Sequence, residues 1–164
     1  MSIFEQIFQP ENKSSHTQGQ TRFPGVVVAK VTNINDPEGK GRIKCQFVSN
    51  NDEEVELDWA YVMTPFGGES CGIFFMPNVD DHVLVAFENG NIYRPFIIGS
   101  VWGSFQTAPV TIEEGKNETY LIKTPGGCTI ELVDTDSKQK ITIQSPGERK
   151  IVFDDENKKV EITD

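Results

Sequence analysis

Apolar and polar residues alternate along most of this chain, in short runs separated by turn-forming residues. Between residues 21 and 103 the runs are "GVVVAKVTNI", "GRIKCQFV", "DWAYVM", "GIFFM", "HVLVAFE" and "PFIIGSVW". They are rich in β-branched and aromatic residues. The segments between them are "NDPEGKG", "SNNDEE", "TPFGGES", "MPNVDD" and "ENGNIYRP". Short strands at this spacing predict a small all-β barrel or sandwich. In the second run Ile43, Cys45 and Phe47 fall on one side and Arg42, Lys44 and Gln46 on the other, the two-residue period of a half-buried strand. "ENGN" predicts a tight turn, because Asn-Gly tolerates positive φ. No segment carries the sustained 3.6-residue period of a long helix.

From Lys123 onward the pattern repeats. "KTPGGCTIELVDTDSKQKITI" aligns with "QSPGERKIVFDDENKKVEIT", and Pro125 and Pro146, each followed by Gly, lie 21 residues apart. Each copy reads as a strand, an acidic turn and a second strand. Ile130, Leu132, Ile141, Ile143, Ile151, Phe153, Val160 and Ile162 occupy alternate positions, so every strand has one apolar face. Leu121 or Ile122 is a ninth inward candidate. A fixed period of about 20 residues marks a stacked β architecture. Two hairpins alone are marginal in water, so this apolar face needs a cover. Three tails wound together would turn the eight alternating residues into a trimer core and close the open strand edges. A four-stranded sheet laid on the chain's own barrel is the alternative.

These patterns divide the chain into four stretches: a leader over 1–20, a barrel over 21–103, a connector over 104–122 and a repeat-containing tail over 123–164. The connector, "SFQTAPVTIEEGKNETYLI", is polar and promises little core. In the leader Ile3, Phe4, Ile7 and Phe8 recur at helical spacing and suit one short amphipathic turn. They either dock on a partner or fold back on the chain's own barrel.

Charge narrows the function classes. The net charge of −10 opposes a phosphate-binding surface, since non-specific nucleic-acid affinity comes mostly from Lys and Arg. Residues 21–103 hold 6 Lys/Arg against 11 Asp/Glu. Trp59, Phe74, Phe75, Phe87, Phe96 and Trp102 could stack bases, but without an electrostatic groove they read as core or subunit contact. Cys45, Cys71 and Cys128 have no metal-ligand spacing and read as free thiols of a protein made in a reducing cytoplasm. The N-terminus lacks the basic and apolar regions of a signal peptide, and no apolar run approaches the ~20 residues that span a bilayer.

Candidate chemistry is thin. "NDPEGKG" reads as a hairpin turn and lacks the Gly-Lys-Ser/Thr of a phosphate loop. Asp80, Asp81 and His82 could form an acid–base cluster, and Glu53, Glu54, Glu56 and Asp58 an acidic pair site. Neither is accompanied by a nucleophile elbow or a metal motif, so both read as turns with solvated charges. The acidic turns "DTDSKQK" and "DDENKK" lack EF-hand spacing for calcium. No catalytic residue, cofactor or metal is expected.

"NDPEGKGRIK", "DWAYVMTP", "FFMPNVDDHVLVAFENGN" and "RPFIIGSVW", together with the repeated tail, closely resemble the spike proteins of contractile tails. These are the phage baseplate assembly protein V family, with relatives in type VI secretion (valine-glycine repeat spikes) and contractile bacteriocins. The resemblance covers about residues 21–164. It implies an all-β chain: an oligonucleotide/oligosaccharide-binding (OB) barrel followed by a short, intertwined, trimeric β-helix needle. The implied role is mechanical, a homotrimeric central spike on a hub and tube that touches a target envelope transiently. The chain would be made in the bacterial cytoplasm and assembled into a virion or tail-like particle.

The sequence also departs from that pattern. No muramidase fits between barrel and tail. About 20 residues precede the barrel, so the baseplate hub is expected to be a separate protein, with Ile3, Phe4, Ile7 and Phe8 candidates for docking on it. The His-x-His apex of some phage needles is missing, so a sharpened tip would need a separate capping protein. A monomeric OB module for an oligosaccharide or a single-stranded nucleic acid is the second reading.

Overall fold

The alternating runs pair into two antiparallel systems. The computed structural model describes residues 23, 25–47 and 55–164. The leader, with Ile3, Phe4, Ile7 and Phe8, lies outside the described residues, as do Glu53 and Glu54.

The first system comprises β1 (Val26–Asn33), β2 (Arg42–Phe47), β3 (Ala60–Val62), β4 (Gly67–Gly68), β5 (Cys71–Gly72), β6 (His82–Phe87) and β7 (Pro95–Ser100). Five of these strands close a barrel in the order β1-β2-β3-β7-β6, with β1 pairing β6 to seal it. Its neighbours are antiparallel except β3 and β7, which run parallel. A closed barrel leaves no open sheet edge. Register shifts between Val31 and Asn33 and between Leu84 and Val85 mark bulges, where strands bend to close a small barrel.

Residues that alternate along the strands fill the interior. Val31, Ile43, Cys45, Val83 and Val85 are fully enclosed, and Phe47, Leu57 and Phe87 close the ends. In β2 the expected alternation holds: Ile43, Cys45 and Phe47 are buried and their neighbours half-buried. "ENGN" forms the expected tight turn, closed by the Asn91 N–H donating to the Glu88 carbonyl at 2.9 Å, with Asn89 at φ 52° and Gly90 at φ 75°. "GIFFM" differs from expectation. Only its first residue, Gly72, lies in a strand, together with Cys71 before it, in a short hairpin with Gly67–Gly68, and Ile73, Phe74 and Phe75 are exposed. An apolar run without alternation cannot distinguish a strand from an apolar surface loop.

The second system is a meander of β8 (Thr119–Lys123), β9 (Thr129–Val133), β10 (Lys140–Gln144), β11 (Lys150–Asp154) and β12 (Lys159–Thr163), each strand antiparallel to the next. It has one strand more than the two hairpins read from the repeat. β8 begins at Thr119, inside the stretch expected as connector. The rest of that stretch holds isolated bridges, Gly103 with Gln106 and Glu113 with Lys116. The chain forms two compact units divided between Gln106 and Thr107. Among the described residues there is no α-helix.

Candidate functional site: an apolar sheet face

Antiparallel register carries the side-chain period of one strand onto the next. Across the second sheet it aligns Tyr120, Leu132, Ile141, Phe153 and Val160 in one continuous row. A second row holds Ile122, Ile130, Ile143, Ile151 and Ile162. Both rows lie on the same face, since each strand contributes residues two apart. All ten side chains are exposed, from 37% at Ile151 to 78% at Ile162. The opposite face carries Leu121, Glu131, Thr142, Val152 and Glu161 along its middle, and Val152 there is 7% exposed. The sheet therefore shows water its oilier face, a patch of a kind that monomeric proteins rarely expose.

The eight residues expected as a trimer core all lie in these rows. Tyr120 and Ile122 join them; Tyr120 was not among the expected residues, because β8 comes after a polar stretch and lies before the repeat. The ambiguity between Leu121 and Ile122 resolves by register, with Ile122 opposite Ile130 on the apolar face.

Local chemistry sets the corners. Thr124 accepts from Gly127 N–H at 2.9 Å, and its hydroxyl accepts from Cys128 N–H at 3.0 Å. Ser145 likewise accepts from Glu148 N–H at 3.1 Å. Gly127 sits at φ 90°, and its counterpart in the second repeat, Glu148, at φ 66°. On the other lateral edge the turns 134–139 and 155–158 place Ser137 and Lys158 at positive φ. Asp154 anchors the second of these turns: Asn157 donates to it from both its backbone N–H at 3.0 Å and its side-chain amide at 3.1 Å. Those donors, with Lys140 beside them, hold the Asp154 carboxyl below its ordinary value.

The barrel candidates are structural in their contacts. Asp36 receives the N–H groups of Glu38, Lys40 and Arg42 and two bonds from the Arg42 guanidinium, at 3.0 and 2.8 Å. The Arg42 side chain, then the backbone donors, hold its carboxyl far below the usual range. The loop thus spends its backbone donors on its own aspartate, not on a phosphate. Asp80 pairs with Lys30, and Asp81 accepts from Asn78 N–H and from the Gln106 amide. His82 is buried, stacked 4.6 Å from Phe105, and its Nδ1 has no hydrogen-bond partner. The cluster is therefore not wired as an acid–base pair. Glu56 binds Thr32 and Lys44, and Asp58 accepts from Trp59 N–H.

The aromatics divide. Phe87 is core, Arg42 and Lys44 lie over the Trp59 ring, and Phe74, Phe75 and Trp102 are exposed. Burial, with Glu56 nearby, pushes the Cys45 thiol up to about 12, while Cys71 and Cys128 are exposed. Among the described residues no three His, Cys, Asp or Glu side chains converge as metal ligands.

Residues 27–102 match the family model of the type VI secretion system/phage-baseplate injector OB domain. The match takes in nearly all of the barrel, from β1 to the residues just after β7. The chain is also similar to two Vibrio cholerae proteins. One is the "Actin cross-linking toxin VgrG1" of serotype O1 strain O395, 30% identical over 115 residues, which is 63% of this chain and 10% of the relative. The other is the "Type VI secretion system spike protein VgrG3" of strain N16961, 31% identical over 85 residues, 49% of this chain and 8% of the relative. The chain thus spans about a tenth of the length of the curated relatives it matches.

Proposed function

We propose that this chain is a structural subunit of the central spike in a contractile injection apparatus, and that it acts as a homotrimer. The observation that carries the reading is the double apolar row on a sheet that comes after an injector OB domain in the chain. Such a face needs partners of its own shape, and a rotated copy of the same sheet supplies them.

Strand length favours three copies over four. Five-residue strands are about 17 Å long, so a three-sided prism of such sheets sets each one about 5 Å from the axis, half the ~10 Å spacing of packed sheets. Four copies would stand about 8.5 Å away and leave a void along the axis. In the three-sided arrangement the Ile rows meet at the centre, and the strands run across the axis. Five strands at about 4.8 Å spacing make a needle about 24 Å tall. The backbone ladder of each sheet then lies along the direction of thrust, which makes the needle stiff.

The role is mechanical. The OB domains seat the spike on a separate hub and tube, and the needle leads into the target envelope when the sheath contracts. The chain would be made in the bacterial cytoplasm and then built into a virion or tail-like particle. No step of this role requires catalysis.

The test is to place an epitope tag in this chain and image gold-labelled contractile particles. Label at the distal end of the tube is expected. Label along the sheath, or on no particle, would refute the assignment.

A further inference from the structure

The meander sorts its turns onto two lateral edges. The Pro-Gly turns, between β8 and β9 and between β10 and β11, lie on one edge. The acidic turns, between β9 and β10 and between β11 and β12, lie on the other. An assembly with cyclic symmetry about the hydrogen-bonding direction brings unlike edges together at every corner. The same strand of each copy then stands at the same height, so the start of a strand in one copy meets the end of that strand in the next. The turns alternate in height from edge to edge, and therefore interlock instead of colliding.

Charge tracks this arrangement strand by strand. β8 is flanked by Glu118 on the acidic-turn edge and ends in Lys123 on the Pro-Gly edge. β11 begins with Lys150 on the Pro-Gly edge and is followed by Asp155. β12 reverses the polarity, with Lys158 before it on the acidic-turn edge and Asp164 after it on the Pro-Gly edge. β9 and β10 each carry charge at one end at most: Asp134 succeeds β9, and Lys140 begins β10. Three of five heights thus pair opposite charges across a corner, and none pairs like charges. Lys123, Lys150 and Asp155 make no ion pair among the described residues. Arg149 bonds Asp164 within the chain, at 2.6 Å.

We infer that a second copy of this chain docks on each lateral edge through ion pairs between strand ends, Glu118 with Lys123, Lys150 with Asp155 and Lys158 with Asp164, each pair joining two neighbouring copies. The inference rests on the trimeric spike reading above. Head-to-tail pairing fixes the order of copies around the axis and aligns their heights, because a shift by one strand would set Lys150 against Lys140 or Lys158, a like charge in either direction. Exposed pairs are screened by salt, so their share of the affinity falls as ionic strength rises.

The test measures trimer dissociation of the full chain at low salt. Lys150→Glu and Asp155→Lys are each expected to raise the dissociation constant on the order of tenfold, since every corner turns from attraction to repulsion. The double variant restores the pair with its polarity swapped and returns toward the wild-type value. A trimer whose single variants bind like wild type, or whose double variant is as weak as the two singles combined, overturns the corner pairs and leaves the spike reading standing. A wild-type monomer overturns both.

Should the variants fail to fold, zero-length carbodiimide linking of the wild-type trimer, mixed from light and isotopically heavy chains, decides the matter. Lys150 and Asp155 stand a strand length apart within one chain, about 17 Å, beyond the reach of such a link. A heavy–light link between them supports the inference. Inter-chain links that avoid every strand-end pair overturn it.

Discussion

At the scale of single residues the barrel is specified by a few over-determined positions. Asp36 is the clearest. It satisfies three backbone N–H groups and locks Arg42, so it fixes the turn that starts β2. Because its folded pKa lies below the unfolded value near 3.9, its contribution is complete at neutral pH and is lost as pH falls through the acid range. Asp36→Asn should lower the urea midpoint at pH 7. The gap between variant and wild type should close as pH falls below about 3.9. A gap that is constant from pH 7 to pH 2 would show that the charge of Asp36 is not what matters.

Gly72 is a second such position. Its φ is 147°, and a Cβ there would stand 2.7 Å from the Phe66 carbonyl oxygen. Gly72→Ala should destabilise the β4–β5 hairpin by roughly 1–3 kcal/mol, read as faster amide exchange at Ile73, whose N–H donates to Phe66. Unchanged exchange would contradict that account.

At the scale of elements, the strands of the barrel were readable because they alternate and are bounded by Gly, Pro and Asn. Two segments were not. "GIFFM" reads as a strand by composition, yet Phe74 and Phe75 face water, and nothing in a continuous apolar run tells which. β8 hides in a polar stretch, and its role emerges only through the register that sets Tyr120 beside Leu132 and Ile122 beside Ile130. The repeat itself was legible, including the face shared by all eight expected core residues. Their exposure was not, because burial depends on what covers a face and not on its period.

The repeat also exposes an asymmetry, with Gly127 in the first corner and Glu148 in the second, both at positive φ. Relief of the left-handed strain should make Glu148→Gly stabilising by about 1 kcal/mol, seen as a higher thermal midpoint. A lower midpoint would mean that Glu148 makes a contact worth more than the strain. In the middle of the Ile row, Ile143→Asp would bury an unpaired charge at a cost of roughly 3–5 kcal/mol per chain. It should reduce the assembly to monomers at concentrations where the wild type stays assembled. Persistence of the assembly would place the apolar rows outside the interface.

At the scale of the whole molecule, one chain joins a barrel that matches the injector OB-domain model to a sheet with an unsatisfied surface. The OB domain says which kind of machine the chain resembles, and the sheet says what is missing from a single copy. The candidate chemistry in the barrel resolves into turns and ion pairs, which leaves the apolar face as the feature that asks for a partner. Whether three copies supply it is the central claim, and the mass of the full chain in solution tests it most directly. Light scattering at micromolar concentration should give three times 18.4 kDa. A stable species of 18.4 kDa, or one of twice that mass, would contradict the account.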